Sequence, residues 1–359
     1  MGNDDQRYWV AFHRVPYIGP MRLRRLVDRF GDLGSAWTAP ASALRGVLDE
    51  RSRESLVRVR ATLDLDALME RLDRSDIRVT TLGCPDYPRL LREIAAPPPV
   101  LYYRGTLPGD HDALVAVVGT RKVTPYGREM ATSIAGGLAA AGVTVVSGMA
   151  LGVDGIAHAA ALDAGGRTLA VLGSGLDHLY PPQNRRLADH IMAQGAVISD
   201  YVPEQKVEAA NFPPRNRIIS GLSLGVVVVE APERSGALIT VDFAADQGRD
   251  VFVVPGNVRS PASAGCNRLL RDGARLVRSA DDVLEDLRLG ARAPTATQQT
   301  LPMEEEDRRL LALLTHEAQH IDEIAAATNQ PIAQVSAQLV ILELQGFVRN
   351  AGAQHYARV

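Results

Sequence analysis

Short Val-rich apolar runs alternate with longer stretches of helical periodicity through the middle of the chain. Ala113–Val118 is too short for a helix and apolar throughout, which predicts a strand buried on both faces. Tyr126–Ala141 follows with helical spacing, and Val143–Val146 is a second apolar run. Strand, turn, helix and strand in this order predict a βαβ unit of a parallel sheet. The pattern repeats. Strands are expected at Thr168–Leu172, Ala196–Ser199, Gly225–Glu230, Asp250–Val254 and Arg275–Val277. Helices are expected at Asn184–Gln194, from Asn211 to Gly221, and at Leu238–Gln247, Gly265–Gly273 and Ala280–Leu287. The fold class is therefore α/β with a parallel sheet, and ligands of such sheets sit beyond the carboxyl ends of the strands.

The flanks have a different texture. Residues 1–70 read as a small helical domain. Its core is Val15-Pro-Tyr-Ile-Gly-Pro-Met-Arg-Leu-Arg-Arg-Leu-Val-Asp-Arg-Phe-Gly31, with Leu23, Leu26, Val27 and Phe30 on one helical face. This resembles a helix-hairpin-helix or SAM-like module. Either its turn offers amides to a phosphate or it is a plain helical pair with a solvated arginine face. The sheet domain is expected over 71–288, entered through a strand at Ile77–Leu82, a short helix from Tyr87 and an extended lead-in at Ala96–Gly105. Pro97–Pro99 rule out helix in that lead-in. Residues 289–303 read as a polar linker. Residues 304–359 read as three helices and a hairpin, the order of a winged helix.

Composition narrows the class. The chain has 359 residues, 46% hydrophobic and 23% charged, and a net charge of −3. It is not globally basic, so nucleic-acid binding must use a local patch. Two cysteines, Cys84 and Cys266, provide neither a disulfide framework nor zinc spacing, and a reducing cytoplasmic setting is the expectation. No apolar run is long enough for a membrane span. Only two of the 39 basic residues are lysines, Lys122 and Lys206, and both fall beside the motifs below.

Three sequence-distant clusters are expected to converge at the strand ends. They are Gly119, Thr120, Arg121 and Lys122; then Ser147, Gly148 and Met149 with the Gly152–Gly155 turn; then Asn211, Phe212, Arg215, Asn216 and Arg217, with Lys206 upstream. Ser235, Gly236 and Thr240 add a helix N-terminus with hydroxyls. Arginine can grip phosphate through two parallel hydrogen bonds, and Phe212 can stack on any base. The set suits a single strand, with backbone held by charge, bases by stacking, and little sequence readout. Each residue also has a structural reading. Arg121 could pair with a carboxylate, and Phe212 could be a hydrophobic staple. One of Arg215 and Arg217 is expected to bind ligand while the other makes an ion pair. Asp154 and His158, at i and i+4, read as a helix N-cap and a satisfied histidine before they read as a catalytic dyad. No P-loop, G-x-G-x-x-G turn, G-x-S-x-G elbow or metal-ligand spacing occurs, so neither cofactor nor metal is expected.

The segments VAVVGTRKVTPYG, VVSGMALGVDGIAHAAAL, VLGSGLDHLYPPQNRRL, NFPPRNRIISGLS, VVVVEAPERSGALITVDFAADQGRDVFVVPGN and GCNRLLRDGARLV, taken together, resemble the DNA-processing protein A (DprA, or Smf) family over roughly residues 80–285. The resemblance implies a Rossmann-like domain that binds single-stranded DNA as a homodimer, flanked by a SAM-like and a winged-helix domain. It implies a non-enzymatic mediator that loads the RecA recombinase onto incoming DNA in natural transformation, with DNA repair as a further use and single-strand-binding protein as a further partner. The family's Gly-Ser-Arg loop reads Gly119-Thr120-Arg121 here, which keeps the hydroxyl.

Two alternatives stand beside this. A nucleotide phosphoribohydrolase of the lysine-decarboxylase-like (LOG) kind shares the Ser-Gly strand end, but its motif needs a glutamate. Ala231–Thr240 lacks one at the helix position, leaving Glu230 or Asp242 as substitutes. The other alternative is a scaffold with a vestigial pocket. The C-terminal segment also departs from what DNA binding wants. Residues 304–359 hold eight acids and four arginines, and Pro331–Gln345 has no cation. Because affinity for DNA rests largely on cations meeting phosphates, this module is expected to add little to it and to contact protein instead.

Overall fold

The computed structural model describes residues 3–289 and 305–358, apart from positions 316, 317, 329, 345, 346 and 353. The chain divides into two compact units, residues 1–294 and 295–359. The linker expected over 289–303 lies, but for Leu289, outside the described residues.

Nine strands build the sheet of the first unit. They are β1 (Arg78–Thr81), β2 (Val100–Gly105), β3 (Leu114–Val118), β4 (Thr144–Ser147), β5 (Thr168–Val171), β6 (Ala196–Ser199), β7 (Gly225–Val228), β8 (Asp250–Val253) and β9 (Arg275–Leu276). Their spatial order is β1-β2-β6-β5-β4-β3-β7-β8-β9. Strands β3 to β9 run parallel, while β1 and β2 close one edge antiparallel. The chain winds outward from β3 in one direction to β6, then returns beside β3 and winds the other way. The switch point therefore lies between β3 and β7, where such sheets open a crevice.

Alternation along β3 explains why both faces are covered. Leu114, Ala116 and Val118 point into one core with the helices Phe212–Leu222 and Gly236–Asp246. Val115 and Val117 point into another with the helices Pro125–Ala140 and Val153–Asp163. An entirely apolar strand is what a central parallel position demands.

The stretch 96–105, expected as an extended lead-in, carries β2, paired on both sides, with Val100, Leu101 and Tyr102 fully buried. The helices expected as a small domain over 1–70 share a core with this edge. Phe12, Leu23, Leu26 and Leu72 belong to one apolar cluster with Val100, Tyr102 and Val197. Arginines tie the two parts together. Arg14 and Arg71 both donate to Glu204, and Arg71 and Arg104 pair with Asp177 at 2.9 and 3.7 Å. At the helical-hairpin turn, Arg22 donates to the Tyr17 carbonyl and pairs with Asp49, and Arg51 lies 3.8 Å over the Tyr17 ring. Two of the arginines near that turn are thus engaged within the protein.

The second unit holds the helices Glu305–Leu313, Ile321–Thr328 and Ile332–Leu344, with a small sheet of β10 (Gln319–His320), β11 (Val348–Gly352) and β12 (His355–Arg358). Leu310, Ile321, Ile324, Val335, Leu339 and Tyr356 form its core. Helices followed by a hairpin make the winged-helix arrangement expected from the order of elements. Val340 and Ile341, on the third helix, are about half exposed.

Candidate nucleic-acid interface

A cavity of about 600 Å³ opens at the carboxyl ends of the parallel strands, across the switch point. The loops after β3, β4, β5, β6 and β7 all contribute to its lining.

After β3 the chain must turn tightly against its neighbours. A Cβ on Gly119 would lie 2.6 Å from a Val153 methyl and 2.9 Å from the Glu230 carbonyl, so only glycine fits. The Thr120 amide donates to the Glu230 carbonyl at 2.7 Å, and its hydroxyl accepts the Lys122 amide at 3.1 Å. That hydroxyl holds its own loop, a local bond typical of threonine in turns. Arg121 is projected outward, exposed, with its guanidinium 5.6 Å over the Phe212 ring. No carboxylate among the described residues pairs with it.

After β4 the polar groups turn inward. Ser147 is buried and donates to the Val117 carbonyl of β3 at 2.7 Å. Met149 adopts φ 58, a conformation side chains rarely take, and one that persists only where the surroundings enforce it. What enforces it is Asp154. Its carboxylate accepts the amides of Gly148 and Ala150 at 3.2 and 3.3 Å, while Asn184 donates to the Met149 carbonyl at 2.8 Å. Gly152, not Asp154, is the N-cap of the helix Val153–Asp163. Asp154 thus binds the loop and does not cap the helix. Burial pushes its carboxyl above the usual carboxylate range, against the pull of Arg215. His158 is fully buried, with Nδ1 2.7 Å from the Thr168 hydroxyl. That hydroxyl donates onward to the Val145 carbonyl, so Nδ1 carries the proton. Burial pushes this histidine down to about 3, so it is neutral at physiological pH.

Phe212, at the start of the helix Phe212–Leu222, stands on Gly173, where a Cβ would meet its ring at 2.9 Å. Its ring faces Arg121 and Tyr180, the latter at 5.9 Å. Of the two arginines that flank Asn216, Arg217 makes the ion pair and Arg215 is the one that lines the cavity. Arg215 is 4% exposed; it donates to the carbonyls of Gly148 and Val171, and its Nε to Asn216 Oδ1. It forms the floor beneath the cavity. Burial lowers it to about 10, with Asp154 and Asp200 opposing that shift. Arg217 pairs with Asp200 at 2.7 Å, both largely buried and outside the cavity lining. Asn216 also donates to the Gly236 carbonyl at 3.3 Å, which locks two helices together.

Ser235 caps the helix Gly236–Asp246, accepting the Ala237 amide at 3.3 Å. The helix start faces the cavity with its positive dipole end, an anion-attracting arrangement. A Cβ on Gly236 would meet nothing within 4 Å, so the backbone there is open to a ligand.

Of the residues singled out from the sequence, the cavity gathers Gly119, Thr120, Arg121, Asp154, Phe212, Arg215, Asn216, Ser235, Gly236 and Thr240. Ser147, Gly148, Asn211 and Arg217 are not among its lining residues, and the exposed Lys122 and Lys206 lie outside it too. Gly148 is a packing glycine, since a Cβ there would strike Arg215 at 2.7 Å and Asp154 at 2.8 Å. The sequence reading missed Arg234 and Tyr180. Arg234 is exposed, lines the cavity, and has no carboxylate partner among the described residues. Its signal was an arginine immediately before the Ser-Gly cap. Glu230, a candidate acid for hydrolysis, is 2% exposed and accepts the Thr124 amide and hydroxyl at 2.9 and 2.7 Å. Asp242 is not among the lining residues. No group of three metal-ligating side chains occurs among the described residues, and no described helix is long and apolar enough to cross a membrane.

Comparison with known proteins gives this geometry a family. Residues 78–288 match the family model of DNA recombination-mediator protein A, and residues 291–353 match the DprA winged helix domain. The chain is 38% identical to Protein Smf of Synechocystis over all of both chains. It is 45% identical to DNA processing protein DprA of Streptococcus pneumoniae over 56% of this chain and 71% of that relative. The X-ray structure of DNA processing protein A from Streptococcus pneumoniae superposes with a TM-score of 0.69 at 34% identity, covering 78% of this chain and 97% of that one. A Helicobacter pylori DNA processing protein A, described for its unique single-stranded DNA binding mode, superposes with a TM-score of 0.53 at 30% identity, covering 60% and 98%. With the sheet domain and the winged helix both matched, the chain belongs to the DNA recombination-mediator protein A (DprA/Smf) family.

Proposed function

We propose that the cavity holds single-stranded DNA, its phosphates on Arg121 and Arg234 and at the start of the helix Gly236–Asp246, and a base against Phe212 and Tyr180. One observation carries this reading. Two exposed arginines without carboxylate partners among the described residues share one cavity with an aromatic pair and a helix N-terminus. Charge grips the backbone and rings stack on bases, with no pattern of donors for reading sequence. The Helicobacter pylori relative, described by its single-stranded DNA binding, supports the same ligand here. The chain acts without breaking a bond. It loads RecA onto the bound strand, displacing single-strand-binding protein, in natural transformation and in repair. It works in the cytoplasm as a homodimer joined through the sheet domain. The occupied state of Glu230 favours a mediator over a phosphoribohydrolase, since that carboxylate already holds the turn at Thr124.

Mobility shifts of the full chain on single and double strands of the same length test the ligand. Preference for the single strand, indifferent to sequence, is expected; equal affinity for duplex would overturn it. Incubation with nucleoside monophosphates tests the chemistry, and free base at enzymatic rates would replace the mediator by a hydrolase.

A further inference from the structure

The loop after β5, here called the ridge, contributes residues to two different hollows. Tyr180 lines the central cavity and is 42% exposed. Its neighbours Leu179 and Pro182 line a second hollow of about 430 Å³, together with Arg104, His178 and Arg185. The ridge is firmly tied. The Gly175 amide donates to the Gln205 carbonyl at 2.9 Å, the Asp177 amide to the Pro203 carbonyl at 3.1 Å, and the Ser174 hydroxyl to the His178 carbonyl at 2.7 Å. Gly175 is packed so closely that a Cβ would lie 2.2 Å from the Val202 and Pro203 carbonyls.

The second hollow is cationic. Asp177 is the one carboxylate among its described lining residues, and Arg71 and Arg104 already pair with it. Arg104 is fixed by donating to the Ser75 and Leu176 carbonyls at 3.1 and 3.2 Å. Arg185, by contrast, is exposed and without a carboxylate partner among the described residues. Lys206 follows Gln205, the residue bonded to the ridge, and precedes Val207 of the central cavity. The exposed cations Arg121, Lys206 and Arg185 are therefore carried by the cavity, by the segment bonded to the ridge, and by the second hollow.

We propose that the second hollow is a further phosphate subsite for the same strand. The strand leaves the central cavity over the Tyr180 ring and sets a phosphodiester against Arg185, with Arg104 as a fixed positive wall. Leu179 and Pro182 give the sugar an apolar surface. The inference rests on the proposed single-strand binding in the central cavity and extends it by naming where the strand goes next. It gives the otherwise unassigned Lys206 a place beside the path.

Length dependence tests it. The full chain is titrated by fluorescence anisotropy with oligothymidylates of about six and about twenty nucleotides, spanning the usual range of single-strand site sizes. Arg185→Ala is expected to weaken the long strand about fivefold, the effect of one exposed phosphate contact worth about 1 kcal/mol, and to leave the short one unchanged. Arg185→Glu, equally exposed and so equally able to fold, weakens the long strand further. Arg121→Ala weakens both lengths. Equal affinities for wild type and both Arg185 variants on the long strand would overturn the subsite while leaving the central cavity intact. Loss on both lengths in the Arg185 variants would also overturn it, by placing Arg185 in the central site. An Arg121→Ala variant with unchanged affinity for either length would remove the proposed function itself.

Discussion

Arg121→Ala is the most direct perturbation of the cavity. Its side chain is exposed, has no carboxylate partner among the described residues, and touches the site mainly by lying 5.6 Å over Phe212. Removing it should hardly disturb the fold, with a stability change within about 0.5 kcal/mol, as for surface positions generally. Its effect on binding should be larger. A bidentate arginine–phosphate contact worth about 1.4 kcal/mol corresponds to a tenfold loss of affinity. The salt dependence carries a second signature. For single strands the slope of log affinity against log salt changes by about 0.7 for each phosphate contact, so over a fourfold rise in salt one lost contact flattens the decline by about 2.6-fold. Anisotropy titrations at several salt concentrations, on strands of differing sequence, measure both quantities, and thermal melting monitors the fold. Arg121→Lys should restore the slope but only part of the affinity, because lysine keeps the charge and loses the fork. An unchanged slope with unchanged affinity would refute the placement of phosphate at this loop. A loss of affinity accompanied by a lower melting temperature would show that Arg121 acts through the fold instead.

Other outcomes follow from the same geometry. Phe212→Ala should weaken binding by about 1–3 kcal/mol whatever the base, measured on homopolymers of each base. Arg217→Met should leave Asp200 buried and unpaired, destabilising the first unit by about 3–5 kcal/mol in denaturant titrations. His158, ordinarily near 6.5, is pushed down to about 3, so the unfolded chain binds a proton that the folded chain refuses. Stability should therefore be full above pH 6.5 and fall as pH drops toward 3, by about 1.4 kcal/mol per unit from this residue. His158→Asn should flatten that part of the acid limb in melting curves, and an identical limb would discount the histidine. Deleting residues 304–359, where acids outnumber arginines eight to four, should leave single-strand affinity within about twofold.

The parallel strands could be read from the sequence because a central strand has no polar face to offer, and runs such as Leu114–Val118 show this directly. The merging of the N-terminal helices with the sheet could not. Phe12 and Leu26 look like the core of any small helical module, and nothing local says that Tyr102 and Val197 complete it. Site residues divided along a similar line. A loop glycine looks the same whether it admits a ligand, as Gly236 does, or a buried guanidinium, as Gly148 does. Arg215 and Arg217 carry the same charge two positions apart on a helix, yet one lies under the cavity and the other beside Asp200. The fate of a polar group depends on which partner the fold delivers. Asp154 read as a helix N-cap in the sequence, and only the fold shows it as the anion that shapes the loop after β4.

The division of charge between the floor of the cavity and its rim has a wider meaning. Asp154, Arg215 and Asn216 answer one another below, whereas Arg121 and Arg234 are exposed with no carboxylate partner among the described residues. The scaffold is self-sufficient and the grip is adjustable. If the rim holds a strand as proposed, exchanging one of its arginines would retune how long that strand stays without touching what keeps the domain folded, so residence time could be engineered over a fold that stays the same.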